Sequence, residues 1–185
     1  MELVQSLEAL AEQNLTGLPF LAAYGLTWLI CGAVWRRAGE RTAAFVTLFQ
    51  GMVALPIALG LSFLIGATGQ ERPVSESITQ LSVLVGVSQL LGLPFLIYLV
   101  IKQYYRLVPL AFAGITSMHF VLYSWLYQTP IYIVMALLIS IGTTVIMLLV
   151  PQQAQQFLGP SRVSFLTGCL LLSAALYLLI VHVMV

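Results

Sequence analysis

The chain has no aspartate, and only 7% of its 185 residues are charged. Soluble domains carry roughly 25% charged residues, so a sizeable soluble domain is excluded. Seven Lys and Arg against six Glu leave a net charge of +1, too little for a basic surface that would hold nucleic acid. Cysteine is scarce: Cys31 and Cys169 both fall in apolar stretches. They form no metal-ligand spacing and read as small packed hydrophobes, so neither metal nor cofactor is expected. The opening residues lack a basic segment followed by an apolar run, which argues against a signal peptide. What fills the chain is hydrocarbon: 61% of residues are hydrophobic and the mean hydropathy is +1.03.

That composition predicts one all-α, polytopic membrane domain over residues 1–185, with six transmembrane helices behind a short amphipathic one. Residues 2–13 place Leu3, Val4, Leu7, Leu10 and Ala11 on one side and Glu8 and Glu12 on the other. Such a helix is expected at the interface or over the end of the bundle. The spans are expected at about 18–35, 43–66, 78–101, 107–127, 130–150 and 163–185. Thr16 is the expected N-cap of the first span, with Pro19 in its first turn. Ser77 and Gln80 form a capping-box pattern at the start of the third. Pro56 and Pro94 lie inside the second and third spans and are expected to bend them. The polar loop at 69–73 and the Gln-rich loop at 151–162, with Gly159 and Pro160, are read as connections. A Gly-Leu-Pro-Phe-Leu run occurs at 17–21 and again at 92–96. The two copies are expected in unlike places, one opening a helix and one deep within a span.

Six of the seven basic residues (Arg36, Arg37, Arg41, Lys102, Arg106 and Arg162) follow the first, third and fifth spans, and only Arg72 lies on the other side. The positive-inside rule then puts both termini outside and the odd-numbered loops in the cytoplasm. Aromatic residues at span ends read as interfacial belts: Trp125, Tyr127 and Tyr132 at the outer side, and Trp35, Tyr104 and Tyr105 at the inner. Small residues recur every four positions at Ala54, Ala58, Ser62 and Gly66, and again at Ala136, Ser140 and Thr144. Such ridges let membrane helices approach closely, within the bundle or in a homo-oligomer.

The apolar segments hold no Asp, Glu, Lys or Arg away from their ends. Proton- and ion-coupled carriers usually need such a group, and phosphoryl transfer and Ser-His-acid hydrolysis need carboxylates. What remains is a polar stripe on the fourth span. At about 100° per residue, Thr116, His119, Tyr123 and Tyr127 fall within about 80° of one another. Gln89 on the third span and Thr27 on the first reach similar depths, and a Gln89–His119 hydrogen bond, direct or through water, is feasible. The candidate ligand-binding residues are therefore His119, Gln89, Tyr123, Thr116 and Thr27, with no catalytic or metal-binding residue assigned.

The run His119-x-x-x-Tyr123-x-Trp125-Leu126-Tyr127, with Gly17-Leu18-Pro19-Phe20 and Gln89, resembles an uncharacterised group of small bacterial multi-pass membrane proteins, a domain of unknown function. The resemblance covers residues 14–140. It implies a bacterial cytoplasmic membrane protein and brings no activity with it. The family motif has proline where this chain has Leu122, which implies a straighter fourth span. Three functions stay open. The first is a bundle that binds or transports a lipid or a small neutral or amphipathic molecule through a polar pocket near mid-membrane. The second is a structural or accessory subunit that oligomerises through its small-residue faces. The third is an intramembrane enzyme acting on lipid with His119 as base. In each, the bilayer is a partner.

Overall fold

The fold, taken from a computed structural model, describes residues 3–68, 72–151 and 157–184. Positions 69–71 of the polar loop and 152–156 of the Gln-rich loop lie outside the described residues. The helices are α1 (Leu3–Gln13), α2 (Leu18–Arg37), α3 (Glu40–Leu64), α4 (Glu76–Ser88), α5 (Leu93–Ile101), α6 (Val108–Leu126), α7 (Ile131–Leu149) and α8 (Leu158–Met184). There is no strand among the described residues. Six spans are long and apolar enough to cross a membrane. The third consists of α4 and α5 joined by a 3-10 turn at Gln89–Gly92.

Several helix starts differ from the sequence reading. The third span begins at Glu76 behind Ser75, and the Gln80 amide bonds the Glu76 carboxylate at 3.4 Å instead of closing a capping box with Ser77. The sixth begins at Leu158, because Gly159 and Pro160 form its first turn. A proline there gives up an N–H that has no intrahelical partner in any case. Thr16 is not the N-cap of α2; Gly17 is. Leu15, Thr16 and Gly17 all have left-handed backbone, with φ of 46°, 53° and 77°. That conformation costs about 1–2 kcal/mol for each non-glycine residue. The Tyr132 hydroxyl donates to the Thr16 carbonyl at 2.6 Å and holds the turn. A Cβ on Gly17 would lie 2.6 Å from that same hydroxyl oxygen and 3.0 Å from Tyr127, so only glycine fits.

The two Gly-Leu-Pro-Phe-Leu copies play the same local part, contrary to expectation. Each follows a 3-10 turn, supplies the N-cap glycine, and sets its proline at the start of a helix, α2 in one case and α5 in the other. Pro94 cannot donate its missing N–H, so the third span breaks just before it.

The closest packing is between α2 and α8. A Cβ on Gly168 would lie 2.8 Å from the Gly25 carbonyl oxygen, and one on Gly32 would lie 2.9 Å from the Phe165 ring. The two backbones touch where the glycines face each other. At the basic end the Ser161 hydroxyl donates to the Gly32 carbonyl at 2.8 Å and accepts from Arg36 at 3.1 Å. α3 packs mainly on α2, α7 on α6 and α8, and α6 also reaches α8 and α3. The ridge on α3 lies inside the bundle, with Ala54, Ala58 and Ser62 all buried. Of the α7 ridge only Ala136 is buried, while Ser140 and Thr144 are exposed.

Two residues assigned to the interfacial belts belong to the core. Trp35 is fully buried and its indole N–H donates to Thr47 at 3.0 Å. Tyr132 is also buried. Trp125 and Tyr104 stay exposed at the span ends. Of the cysteines, Cys31 is buried and Cys169 is exposed. α1 covers one end of the bundle: Leu7 and Leu10 cluster with Leu126, against Val74, Ile78, Tyr123 and Tyr127.

Gly168→Val should cost about 1–3 kcal/mol through overpacking, read as a lower Tm in detergent. Gly114→Ala, where nothing lies within 4 Å of the added carbon, should leave the Tm unchanged or raise it slightly.

Candidate functional site

The stripe on α6 meets the broken third span. Helical geometry lines up Thr116, His119 and Tyr123, and the 3-10 turn brings the neighbouring backbone in close. A Cβ on Gly92 would lie 2.5 Å from Ile115, so the glycine permits that approach. Two side-chain hydrogen bonds cross the contact. His119 Nδ1 lies 3.0 Å from the Ser88 hydroxyl oxygen, and the Gln89 amide donates to the Thr116 hydroxyl at 3.4 Å. In place of a Gln89–His119 bond there are two: His119 pairs with Ser88, the residue before Gln89, and Gln89 itself pairs with Thr116, three residues before His119.

The tautomer of His119 follows from its partner. Ser88 has one hydroxyl proton, and the Val85 carbonyl accepts it at 2.7 Å. Its oxygen is then the acceptor and Nδ1 the donor, an assignment made from the hydrogen-bond network. Nε2 keeps an unshared lone pair. The His119 ring also packs edge-on against Tyr123, with ring centroids 4.9 Å apart. The Tyr123 hydroxyl faces Gly86 of α4, within 4.0 Å of where a Cβ would stand. No bond of that hydroxyl to another described residue is seen. The α6 stripe thus carries a neutral acceptor, Nε2 of His119, and a neutral donor, the Tyr123 hydroxyl, of which the hydroxyl faces the third span.

Toward the end covered by α1, the stripe continues as an aromatic stack. Tyr123, Tyr127 and Tyr132 pack mutually with centroids 5.6–5.9 Å apart, and Phe120 joins at 5.9 Å from Tyr132. Their faces meet one another, so they do not line a cage for a quaternary ammonium. Thr27 is buried, and its hydroxyl donates to the Tyr24 carbonyl of its own helix at 2.9 Å. No side-chain hydrogen bond joins it to the other four among the described residues.

Three polar residues were missed in the sequence. Ser88 is one. The others are Trp28 and Gln50, both buried, whose Nε1 and Nε2 donors have no hydrogen-bond partner among the described residues. Trp28 packs on Phe112 of α6, with centroids 5.4 Å apart, one turn from Thr116. Gln50 had a readable signal: it shares a helical face with Ala43, Thr47 and Ala54, all buried. Two surface clefts, of about 350 and 280 Å³, lie at opposite ends of the bundle, and neither includes His119.

A double-mutant cycle with Ser88→Ala and His119→Ala, followed by unfolding in detergent, should return a coupling of about 0.6–2 kcal/mol. The cycle pairing Gln89→Ala with His119→Ala should return a smaller one, since no bond joins them.

No curated protein and no solved structure matches the chain. A family model described as a family of unknown function (DUF7010) matches residues 5–182. The match runs well beyond the 14–140 segment that carried the resemblance, and it does not fix a bacterial source. With six membrane-spanning-capable helices and nearly its whole length matched, the chain is a multi-pass membrane protein that belongs to the DUF7010 family.

Proposed function

We propose that the protein binds a small neutral or amphipathic molecule where α6 meets the third span, with His119 and Tyr123 as its polar contacts. One observation carries this reading: on the α6 stripe that meets the third span, Nε2 of His119 and the hydroxyl of Tyr123 have no hydrogen bond to another described residue. A ligand hydroxyl or amide would donate to Nε2 and accept from Tyr123. The covering element is suited to admit one. Within α4 only Val85 is buried, and α3 and α4 make no extended contact among the described residues. Thr116, Gln89 and Ser88 would set the position of the covering turn. The setting we propose is a bacterial cytoplasmic membrane with both termini outside. The orientation is supported by the excess of Lys and Arg in the loops after the first, third and fifth spans.

Assembly is a second reading. It rests on the exposed Ser140 and Thr144 of α7, since the ridge on α3 is already packed inside.

Native mass spectrometry of gently solubilised protein tests both. Wild type should carry a discrete extra mass that His119→Ala lacks, with Tyr123→Phe intermediate. Identical sets of extra masses on wild type and His119→Ala, or none on wild type, overturn the binding reading. A defined oligomer that Ser140→Leu dissolves would support the second.

A further inference from the structure

At the basic end of the bundle, away from His119, a cleft of about 280 Å³ opens between the start of α3 and the turn that joins α5 to α6. Glu40, Gln103, Tyr104, Tyr105, Arg106 and Leu107 line it. Its volume is just below the roughly 300–1,000 Å³ of a drug-sized pocket, which suits a small polar group. Glu40 Oε2 faces Arg106 Nε at 3.6 Å, a charge contact longer than a hydrogen bond. Glu40 Oε1 is buried and has no hydrogen-bond partner among the described residues. An unpaired buried acceptor is costly, more so when it is charged, so this oxygen calls for a donor that the described residues do not supply.

The chemistry of the complement follows. Glu40 only accepts hydrogen bonds and Arg106 only donates them. A ligand that satisfies both carries an N–H-bearing cation beside an anion. The cleft sits at the ends of α3, α5 and α6, where a bilayer would place its headgroups, and Tyr104 is exposed at its edge, as tyrosines are at membrane interfaces. We propose that this cleft binds the headgroup of an ethanolamine phospholipid, with the ammonium on Glu40 Oε1 and the phosphate on Arg106. A choline headgroup has the same phosphate but no N–H, and it leaves Oε1 unpaired.

The test is a competition in mixed micelles holding equal amounts of phosphatidylethanolamine and phosphatidylcholine with the same acyl chains. Lipid retained by the full-length protein after detergent exchange is quantified by mass. Wild type should retain the ethanolamine lipid over the choline lipid by about tenfold. Glu40→Gln should bring the two to parity, and Arg106→Gln should lower retention of both. His119→Ala should leave the preference intact, which separates this site from the one proposed above. Parity on wild type overturns the proposal, as does a preference that survives Glu40→Gln. Should Glu40→Gln fail to fold, the wild-type ratio and Arg106→Gln decide. Free phosphoethanolamine that displaces the retained lipid at equal concentration overturns the lipid assignment and makes the ligand a soluble zwitterion.

Discussion

Gly25 and Gly168 set how close α2 and α8 come, and the rest of the bundle is arranged around that distance. Lipid tails are as apolar as leucine, so helices in a bilayer associate by close packing and hydrogen bonds more than by hiding hydrocarbon from water. A backbone contact at glycine gives many short dispersion contacts over a small area. Here it is extended by Gly32 against Phe165 and closed at the basic end by Ser161 bonding the Gly32 carbonyl. α3 and α7 then flank this pair, and α6 is held between them. Fully buried Trp28 and Trp35 fill the α2 side.

The third span is built on the opposite plan. Its first half, α4, buries one residue, and its middle is a 3-10 turn imposed by Pro94. Its polar tethers to α6 are the Ser88–His119 and Gln89–Thr116 bonds. The protein thus joins a tightly packed frame to one loosely packed span, with its membrane-buried histidine at the joint. The proposed binding function follows from that contrast.

The spans were legible because a 20-residue apolar run has few other readings. The α6 stripe was legible because helical periodicity alone places Thr116, His119 and Tyr123 on one face. What the periodicity could not supply was register between helices. Gln89 was paired with His119 on depth, but the 3-10 turn shifts the third span so that Ser88 takes that place. The small-residue ridges were visible, yet sequence does not say which neighbour a ridge meets, and the tightest contact came from Gly25 and Gly168 instead. Gln50 was overlooked, although its face is otherwise made of small buried residues. Trp35 and Tyr132 sit at span ends and so looked interfacial. Each has a polar atom that finds a partner inside, Thr47 and the Thr16 carbonyl, and that partner draws the ring into the core.

Ser88 and His119 tether the third span to the closely packed frame. Hydrogen–deuterium exchange in nanodiscs, wild type against Ser88→Ala, tests that tether most directly. Exchange should be faster in α4, the Gln89–Gly92 turn and α5, with α2 and α8 unchanged. Equal increases in α2 and α8, or no increase in the third span, would contradict it.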